Sequence, residues 1–244
     1  MDIPKINLHI HSNYSDGSNS IEDILKKALE SGFDYIAITD HFTDTWKANI
    51  IPTLDNKEKI LMYTNEISEF QKVLKSENSS LRLFSGIEVD IRSSLPYVKK
   101  LIDVTQFQVI LFEHLENIND ISFTKRIIKH WNHKTASDSR SPIFGLAHFN
   151  PGPLFNKYSE ILLDFLEEYS IYFEFNSSYS QYYSLEYYEF FRELKYRQIP
   201  VGIGSDAHSI GYLKEIQEPI DKIKEYNLEE NLLLLILKLK KNEY

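Results

Sequence analysis

Short apolar runs alternate with longer amphipathic stretches along the whole chain. The apolar runs are nearly continuous and rich in β-branched and aromatic residues, a pattern typical of buried parallel strands. They predict seven strands, at 5–11, 35–41, 81–91, 107–115, 142–148, 171–176 and 200–208. Between them, helical spacing predicts helices at 20–33, 56–76, 95–104, 121–134, 158–170 and 185–198, with one or two more over 219–241.

Seven strand–helix units predict a parallel sheet covered by helices, either a closed barrel or an open doubly wound sheet. The polar residues favour the barrel, because they fall at or near the carboxyl ends of different strands. These residues are His11, His41, Glu88, His114, His148 and His208. A barrel gathers such ends around one axis, whereas an open sheet spreads them along a line. We therefore predict an α/β fold, a single TIM-like (β/α)7 barrel over 1–244, with 219–241 as a C-terminal helical closure.

Composition narrows the class of protein. The 244 residues fit one large domain, and 42% are apolar, enough for a sizeable core. The chain has no cysteine, which excludes disulfides and thiolate metal sites and suits a reducing cytoplasm. The N-terminus lacks the pattern of a signal peptide, and the longest apolar run, 232–237, is too short to span a bilayer. These features predict a soluble, cytoplasmic protein without a membrane partner.

The net charge of −9 bears on nucleic-acid partners. An extended nucleic-acid groove requires clustered lysine and arginine, and no such cluster occurs in the sequence. We expect no extended groove of this kind, although a strand end or a single nucleotide stays possible as a substrate.

The first strand carries two histidines where a core would favour aliphatic residues. Alternation places His9 and His11 on one face, so that both imidazoles can reach one ion. The same spacing pairs Asp206 with His208. A single histidine on an apolar face is usually a hydrogen-bonded core residue. Six of the eight histidines lie at strand ends, however, together with the acids Asp16, Glu88 and Asp206. Cations would supply the missing counter-charge, so the set predicts a metal site.

The sequence at these positions resembles a known family. "HIHSNYSDG", "AITDH", "GIEVD", "EHL", "LAH" and "GSDAH" are similar, in order, to the motifs of the PHP (polymerase and histidinol phosphatase) family, across residues 9–208. The opening motif and "TDH" are specific, whereas "EHL" and "LAH" alone would indicate little. The resemblance implies a distorted seven-stranded barrel with up to three divalent metal ions that hydrolyse phosphoesters.

The same resemblance implies which residues hold each ion. The first ion would be held by His9, His11, Glu88 and Asp206, the second by Glu88, His114 and His148, and the third by Asp16, His41 and His208. The nucleophile would be a metal-bound hydroxide held by Glu88, Asp206 and His208. Six imidazoles and three carboxylates suit Zn, Mn, Fe or Co better than Mg or Ca.

Loops that follow strands lie on the active face of a barrel, which suggests further residues that contact substrate. Arg92 follows the third predicted strand and Lys47 follows the second, so both are candidate phosphate clamps, with Lys157 as a weaker one. Asn176 ends the sixth strand, where we expect either a substrate contact or a backbone cap.

Two acids and two loops complete the candidates. Asp40 and Glu113 precede predicted ligands and should point away from them by alternation, in supporting or structural roles. The long loop after the second strand, 42–56, could act as a lid. The tyrosine-rich segment 176–188 predicts either helix core or a wall that stacks on a substrate ring.

The leading hypothesis is a metal-dependent phosphoesterase acting on a small phosphomonoester, such as histidinol phosphate, at a trinuclear site. The alternatives are a nuclease or nucleotide phosphodiesterase of the same family, an amidohydrolase, and a non-catalytic metal-binding module. An amidohydrolase would leave Asp16 and Glu88 unexplained and would require an eighth strand. The apolar C-terminal stretch packs on the barrel or, as the lesser option, forms a homo-oligomer contact.

Overall fold

The parallel strands of the chain form a nearly closed barrel in the computed structural model, which describes residues 3–135 and 141–242. The strands are β1 (Ile6–Asn7), β2 (Tyr35–Ile38), β3 (His41–Phe42), β4 (Arg82–Asp90), β5 (Val109–Glu113), β6 (Ile143–Leu146), β7 (Tyr172–Asn176) and β8 (Val201–Gly204). The sheet order is β1-β2-β4-β5-β6-β7-β8, with β3 beside β4, and all pairs are parallel. The predicted α/β barrel is confirmed.

The barrel closes between its first and last strands. The backbone N–H of Leu8 donates to the carbonyl of Ile203 at 2.8 Å, and Ile10 forms an isolated parallel bridge with Ala207. The first predicted strand therefore has two partners. Its start pairs with β2, and the residues after it pair with β8 and the segment that follows β8.

The second predicted strand, 35–41, is divided into β2 and β3. At the break Gly86 on β4 approaches so closely that a Cβ there would lie 2.7 Å from the carbonyl oxygen of Ile38. The Tyr63 hydroxyl donates to the carbonyls of Ile38 and Gly86, at 2.7 and 2.8 Å. After the break, His41 comes into register with Glu88 on β4, which brings two predicted ligands together.

Helices cover the sheet after each strand except the first part of the divided one. They are α1 (Ile21–Glu30), α2 (Lys57–Ser76), α3 (Leu95–Leu101), α4 (Ile118–Thr135), α5 (Gly152–Glu168), α6 (Tyr188–Tyr196), α7 (Gln217–Glu225) and α8 (Glu229–Lys241). The Ser20 hydroxyl caps α1, and Gly32, at φ +67°, follows its end. α5 begins six residues before its predicted start and is kinked at Tyr158. Within the described ranges, no helix has the length and apolar content to cross a bilayer.

The Tyr172 ring occupies the barrel interior between β6 and β8. Tyr172 is fully buried on β7, and Cβ atoms at Gly145 on β6 or Gly202 on β8 would overlap its ring. The two glycines thus make room for the ring between neighbouring strands. Leu235 of α8 also approaches Gly202.

α8 lies across the amino-terminal end of the barrel. The Gln108 amide, just before β5, donates to the carbonyl of Asn242 at 2.8 Å. Lys238 donates to the carbonyl of Ser170, just before β7, at 3.3 Å. The opposite end, where the strands finish, is left for the polar residues.

Candidate metal centre

All nine predicted ligands lie at the carboxyl-terminal mouth of the barrel. Their nitrogen and oxygen atoms form overlapping groups within which the atoms lie no more than 4.8 Å apart. The groups are His11, Asp16, His41 and His208; His9, His11 and Asp206; His9, Glu88 and His148; His41, Glu88 and Glu113; and Asp90, Glu113 and His114. Residues from separate strands thus converge, as the barrel hypothesis required.

Glu88 lies at the centre of this cluster. One carboxylate oxygen is 3.3 Å from His9 Nε2 and 3.2 Å from His148 Nε2. The other is 2.7 Å from His41 Nδ1 and 3.6 Å from His11 Nε2. Since the side chain is fully buried, its charge acts on four imidazoles from three different segments.

Asp206 and Asp16 lie on either side of His11. Asp206 Oδ1 is 2.9 Å from His11 Nε2 and 3.5 Å from His9 Nε2. Asp16 Oδ1 is 3.2 Å from His208 Nε2, 3.6 Å from His41 Nε2 and 3.8 Å from His11 Nδ1. The cluster therefore extends from the buried interior to the more open position of His208.

Burial and the charges of neighbouring side chains shift the pKa values of several of these residues strongly. Burial raises the pKa of Asp16, but His208, His41 and His11 outweigh it and hold that pKa at about 2. Burial lowers the pKa of His41, but Glu88 and Glu113 raise it to about 10. Burial and the neighbouring His41 lower the pKa of His11 to about 4. Perturbed groups packed this closely are typical of functional sites.

Several carboxylate oxygens in the cluster lack hydrogen-bond donors. Asp16 Oδ1, both oxygens of Glu88 and Asp206 Oδ1 are buried and accept no hydrogen bond within the part of the chain that is described. Imidazole nitrogens lie close to these oxygens, but a buried carboxylate oxygen that accepts no hydrogen bond is costly. Divalent cations would satisfy these oxygens, and the mixed imidazole and carboxylate donors suit zinc, manganese or iron. The residues present fit a multinuclear metal site.

Three of the predicted ligands have left-handed backbone conformations. The φ angles are +67° at His114, +33° at His148 and +52° at Asp206, which follow β5, β6 and β8. Such a conformation costs about 1–3 kcal/mol at a residue other than glycine and concentrates at functional sites.

The orientation predicted for Glu113 is wrong. Its Oε2 lies 3.4 Å from His114 Nδ1, and its Oε1 lies 3.6 Å from His41 Nδ1. Alternation fails because His114 leaves the extended conformation, so that two consecutive side chains turn towards the mouth.

His114 is grouped with Asp90, not with Glu88 and His148 as the resemblance implied. Its Nδ1 lies 3.3 Å from Asp90 Oδ1. Asp90 was missed in the sequence, although it lies two residues after Glu88 and therefore on the same face of β4. That spacing is the signal that identifies it.

Asp40 has the supporting position expected for it. Its carboxylate accepts hydrogen bonds from the Ser12 N–H at 2.8 Å and from the hydroxyls of Ser12 and Ser15 at 2.6 and 2.5 Å. Burial outweighs these bonds and raises its pKa to about 6. The contacts fix the loop that carries Asp16.

Lys47 reaches the cluster from the loop after β3. Its ammonium lies 3.0 Å from Glu113 Oε2 and 3.3 Å from His41 Nδ1. Burial lowers its pKa, but Glu113 and Glu88 outweigh the burial and raise it. Of the four residues predicted to contact substrate, Lys47 and Asn176 lie beside predicted ligands, Lys47 beside His41 and Asn176 Nδ2 3.4 Å from His9 Nδ1.

The other three have different surroundings. Arg92 is exposed and pairs with Glu116 at 2.8 Å. Lys157 is exposed on α5, 5.1 Å from the centre of its neighbouring Tyr158 ring. Asn176 is fully buried, and its Oδ1 accepts the N–H of Ser178 at 3.0 Å, the cap considered above. Substrate contacts at these three residues stay predictions.

Part of the tyrosine-rich segment lines the mouth. The Tyr179 ring lies 4.5 Å from the His148 ring, and Tyr182 stacks on Tyr179 at 5.6 Å. Further along, Tyr183 is buried. The segment therefore contributes to both the wall and the core.

A parallel barrel with histidines and carboxylates clustered at its mouth defines a metal-dependent hydrolase. The model of the PHP domain family matches residues 7–178, well over half of the chain. The chain belongs to this family of metal-dependent phosphoesterases, and the expected class, a hydrolase of phosphoric esters, is confirmed.

Solved structures support the fold. The chain is similar to histidinol phosphate phosphatase from Lactococcus lactis, crystallised with zinc, L-histidinol and phosphate, at TM-score 0.63 and 15% identity over 92% of this chain and 94% of that one. It is also similar to the metal-dependent tyrosine phosphatases YwqE from Bacillus subtilis and CpsB from Streptococcus pneumoniae, at TM-score 0.60 and 17% identity over 98% and 95%.

A curated relative matches a shorter segment. DNA polymerase/3'-5' exonuclease PolX from Bacillus subtilis is 33% identical over 87 residues, which cover 36% of this chain and 14% of that protein. The match thus spans about a seventh of the relative's length.

Proposed function

We infer that the chain hydrolyses a small phosphomonoester at a site of three divalent ions. The observation that carries this proposal is the set of buried carboxylate oxygens on Asp16, Glu88 and Asp206 that accept no hydrogen bond from the described residues. The proposed ligands are His9, His11, Asp16, His41, Glu88, His114, His148, Asp206 and His208. A cytoplasmic location and a homo-oligomer through the C-terminal helix stay predictions.

The proposed hydrolysis depends on the positive charge of the bound ions and of Lys47. Bound divalent ions would supply a nucleophilic water at neutral pH and neutralise the phosphoryl oxygens. Among the ligands, Glu88, Asp206 and His208 are proposed to hold the reacting water. Lys47 is proposed to exchange its contact with Glu113 for the phosphate, since an ammonium and a phosphoryl oxygen form a strong, charge-assisted hydrogen bond.

Two features favour a small substrate. The neighbour from Lactococcus lactis was crystallised with L-histidinol and phosphate, which together are the products of a small monoester. The Tyr179 and Tyr182 rings beside His148 offer a surface on which a substrate ring could stack.

A direct test compares monoesters with diesters. The purified chain, depleted of metal and then supplied with Zn or Mn, should hydrolyse p-nitrophenyl phosphate and histidinol phosphate faster than bis(p-nitrophenyl) phosphate. His41→Gln should lower activity at least about 100-fold. Loss of an outer-shell partner costs up to about 100-fold, and loss of a direct ligand should cost no less. His133→Gln, in which an exposed histidine of α4 is changed, should retain full activity. Equal activity in metal-free and metal-loaded protein would overturn the proposal.

The match to PolX favours a second candidate, hydrolysis of phosphodiesters at nucleic-acid ends. A labelled oligonucleotide, assayed beside the monoesters, separates the two. Preference for the oligonucleotide and the bis-ester by tenfold or more would make the second candidate the function.

A further inference from the structure

Glu174 is a fully buried carboxylate at the mouth that the ligand set does not include. It lies on β7, two residues before Asn176, so that both side chains face the barrel interior. A buried carboxylate requires partners, and those of Glu174 identify what it does.

Three groups from three segments donate to this side chain. His9 Nδ1 lies 3.0 and 3.1 Å from its two oxygens. The backbone N–H of His148 donates to Oε2 at 2.6 Å, and the Asn176 amide donates to the same oxygen at 3.1 Å. Glu174 thus connects β1, the end of β6 and β7.

The contact with His9 determines which ring nitrogen is available. A carboxylate only accepts, so His9 Nδ1 must carry a proton, and in the neutral ring that a metal ion requires the lone pair then lies on Nε2. Nε2 is the nitrogen that lies 3.3 Å from Glu88 and 3.5 Å from Asp206. Glu174 therefore orients the ring so that its acceptor nitrogen points into the cluster.

The contact with His148 fixes a strained backbone. His148 has φ +33°, and its N–H is directed to Glu174 by the 2.6 Å hydrogen bond. The His148 ring then lies 3.2 Å from Glu88. The same carboxylate thus positions two imidazoles beside one oxygen of Glu88, Oε1.

A glycine on β8 leaves the space that Glu174 occupies. A Cβ on Gly204 would overlap a carboxylate oxygen of Glu174 and would lie 2.7 Å from His9 Cβ. The position is built to admit this carboxylate, not filled by it incidentally.

We propose that Glu174 is a positioning residue that sets the tautomer of His9 and the backbone of His148, and so holds two proposed ligands in place around Glu88 Oε1. This inference rests on the proposed function, because it requires that His9 and His148 are ligands. Loss of Glu174 should weaken metal binding by His9, Glu88 and His148 and spare the ion at Asp16, His41 and His208.

Zinc binding to two Glu174 variants tests the inference. Glu174→Gln is nearly isosteric, but it accepts at one atom only, so its amide NH₂ must face either the His148 N–H or His9 Nδ1. We expect the zinc affinity of the group formed by His9, Glu88 and His148 to fall about 10–100-fold, the usual effect of an outer-shell partner, measured by competition with a chromophoric chelator and elemental analysis. Glu174→Asp keeps the charge but is too short for both contacts, so an intermediate loss is expected.

The matched control is Asp34→Asn at the other end of the barrel, where the carboxylate accepts the Lys5 N–H at 2.8 Å. It should bind zinc as the unaltered chain does. If Glu174 only fills space, Glu174→Gln will bind three ions normally and Glu174→Asp will be the damaging change; that result would overturn the inference.

A second measurement does not depend on how the Glu174 variants fold. Long-range ¹H–¹⁵N correlation on the zinc-loaded chain should show His9 protonated at Nδ1, assigned by loss of the signal in His9→Asn. An unprotonated Nδ1 would overturn the inference. If the chain binds zinc but hydrolyses no phosphoester, the proposed function fails while these two readouts still decide the role of Glu174. A chain that binds no divalent ion would overturn both.

Discussion

Gly204→Ala introduces one methyl group into the most crowded part of the site. The new Cβ would overlap a Glu174 oxygen and would lie 2.7 Å from the Glu174 carboxyl carbon and from His9 Cβ. Ordinary carbon contacts are about 3.5–4.0 Å, so an overlap of about 1 Å must be relieved. His9 Cβ is attached to the backbone of a buried segment and cannot rotate away, so the β8 backbone must shift as well as the Glu174 side chain.

The magnitude follows from three effects. Overpacking of a well-packed interior costs about 1–3 kcal/mol. A shift of Glu174 also weakens hydrogen bonds to a charged acceptor, worth about 1.5–3 kcal/mol each. Against this, alanine reduces the entropy of the unfolded chain, which contributes about 0.4–1 kcal/mol of stability. We expect Gly204→Ala to lower the free energy of unfolding by about 2–4 kcal/mol, the sum with one bond weakened.

Urea unfolding in a chelating buffer measures this change without a contribution from bound metal. Gly211→Ala is the matched control, since the nearest atom to its Cβ, Ser209 Oγ, lies at an ordinary 3.5 Å, and its stability should change by less than about 1 kcal/mol. Zinc should raise the urea midpoint of Gly204→Ala less than that of the control. If the two variants unfold at the same urea concentration, the close contact between β8 and Glu174 is refuted.

Three further predictions concern stability and substrate binding. Tyr63→Phe removes the hydroxyl that donates to the buried carbonyls of Ile38 and Gly86, which should cost about 1–3 kcal/mol in urea unfolding. Burial raises the Tyr63 pKa well above 10, so the folded state keeps the hydroxyl proton that the unfolded state releases. The free energy of unfolding should therefore fall as the pH rises above 10, and it should fall less in Tyr63→Phe. Chelation should lower the melting temperature, because each ion at 100 times its Kd contributes about 2.7 kcal/mol; an unchanged melting curve after verified metal loss would contradict a metal centre. Lys47→Met should lower kcat/KM about 10–100-fold through loss of a charge-assisted hydrogen bond, whereas Lys157→Met should have the smaller effect; equal effects would exclude Lys47 as the main clamp.

Periodicity predicted the elements well and their irregular ends poorly. The seven apolar runs each contain a strand, and the nine ligand candidates meet at one mouth. Helical spacing alone did not predict the first turns of α5, because its opening residues before Tyr158 include Gly152 and Pro153. The break within 35–41 depends on Gly86 from another strand, and no local pattern encodes such a contact.

The acids that sequence analysis missed share one feature. Asp90 and Glu174 lie inside strands, each two residues from a recognised candidate, yet an acid within a strand is easily assigned to a solvent-exposed face. Burial and hydrogen bonds to His114 and His9 show that both face the mouth. Extending the period of two from Glu88 and Asn176 would have found them.

The irregular strand ends have a common physical origin. In an extended strand only every second side chain reaches the interior, which limits how many ligands one strand can supply. Leaving the strand in a left-handed conformation removes that limit, at about 1–3 kcal/mol for each residue. His114, His148 and Asp206 adopt this conformation at the ends of three strands, and hydrogen bonds such as that from the His148 N–H to Glu174 offset part of the cost. Cations bound by the converging carboxylates would offset the remainder, so the strain and the metal centre depend on each other.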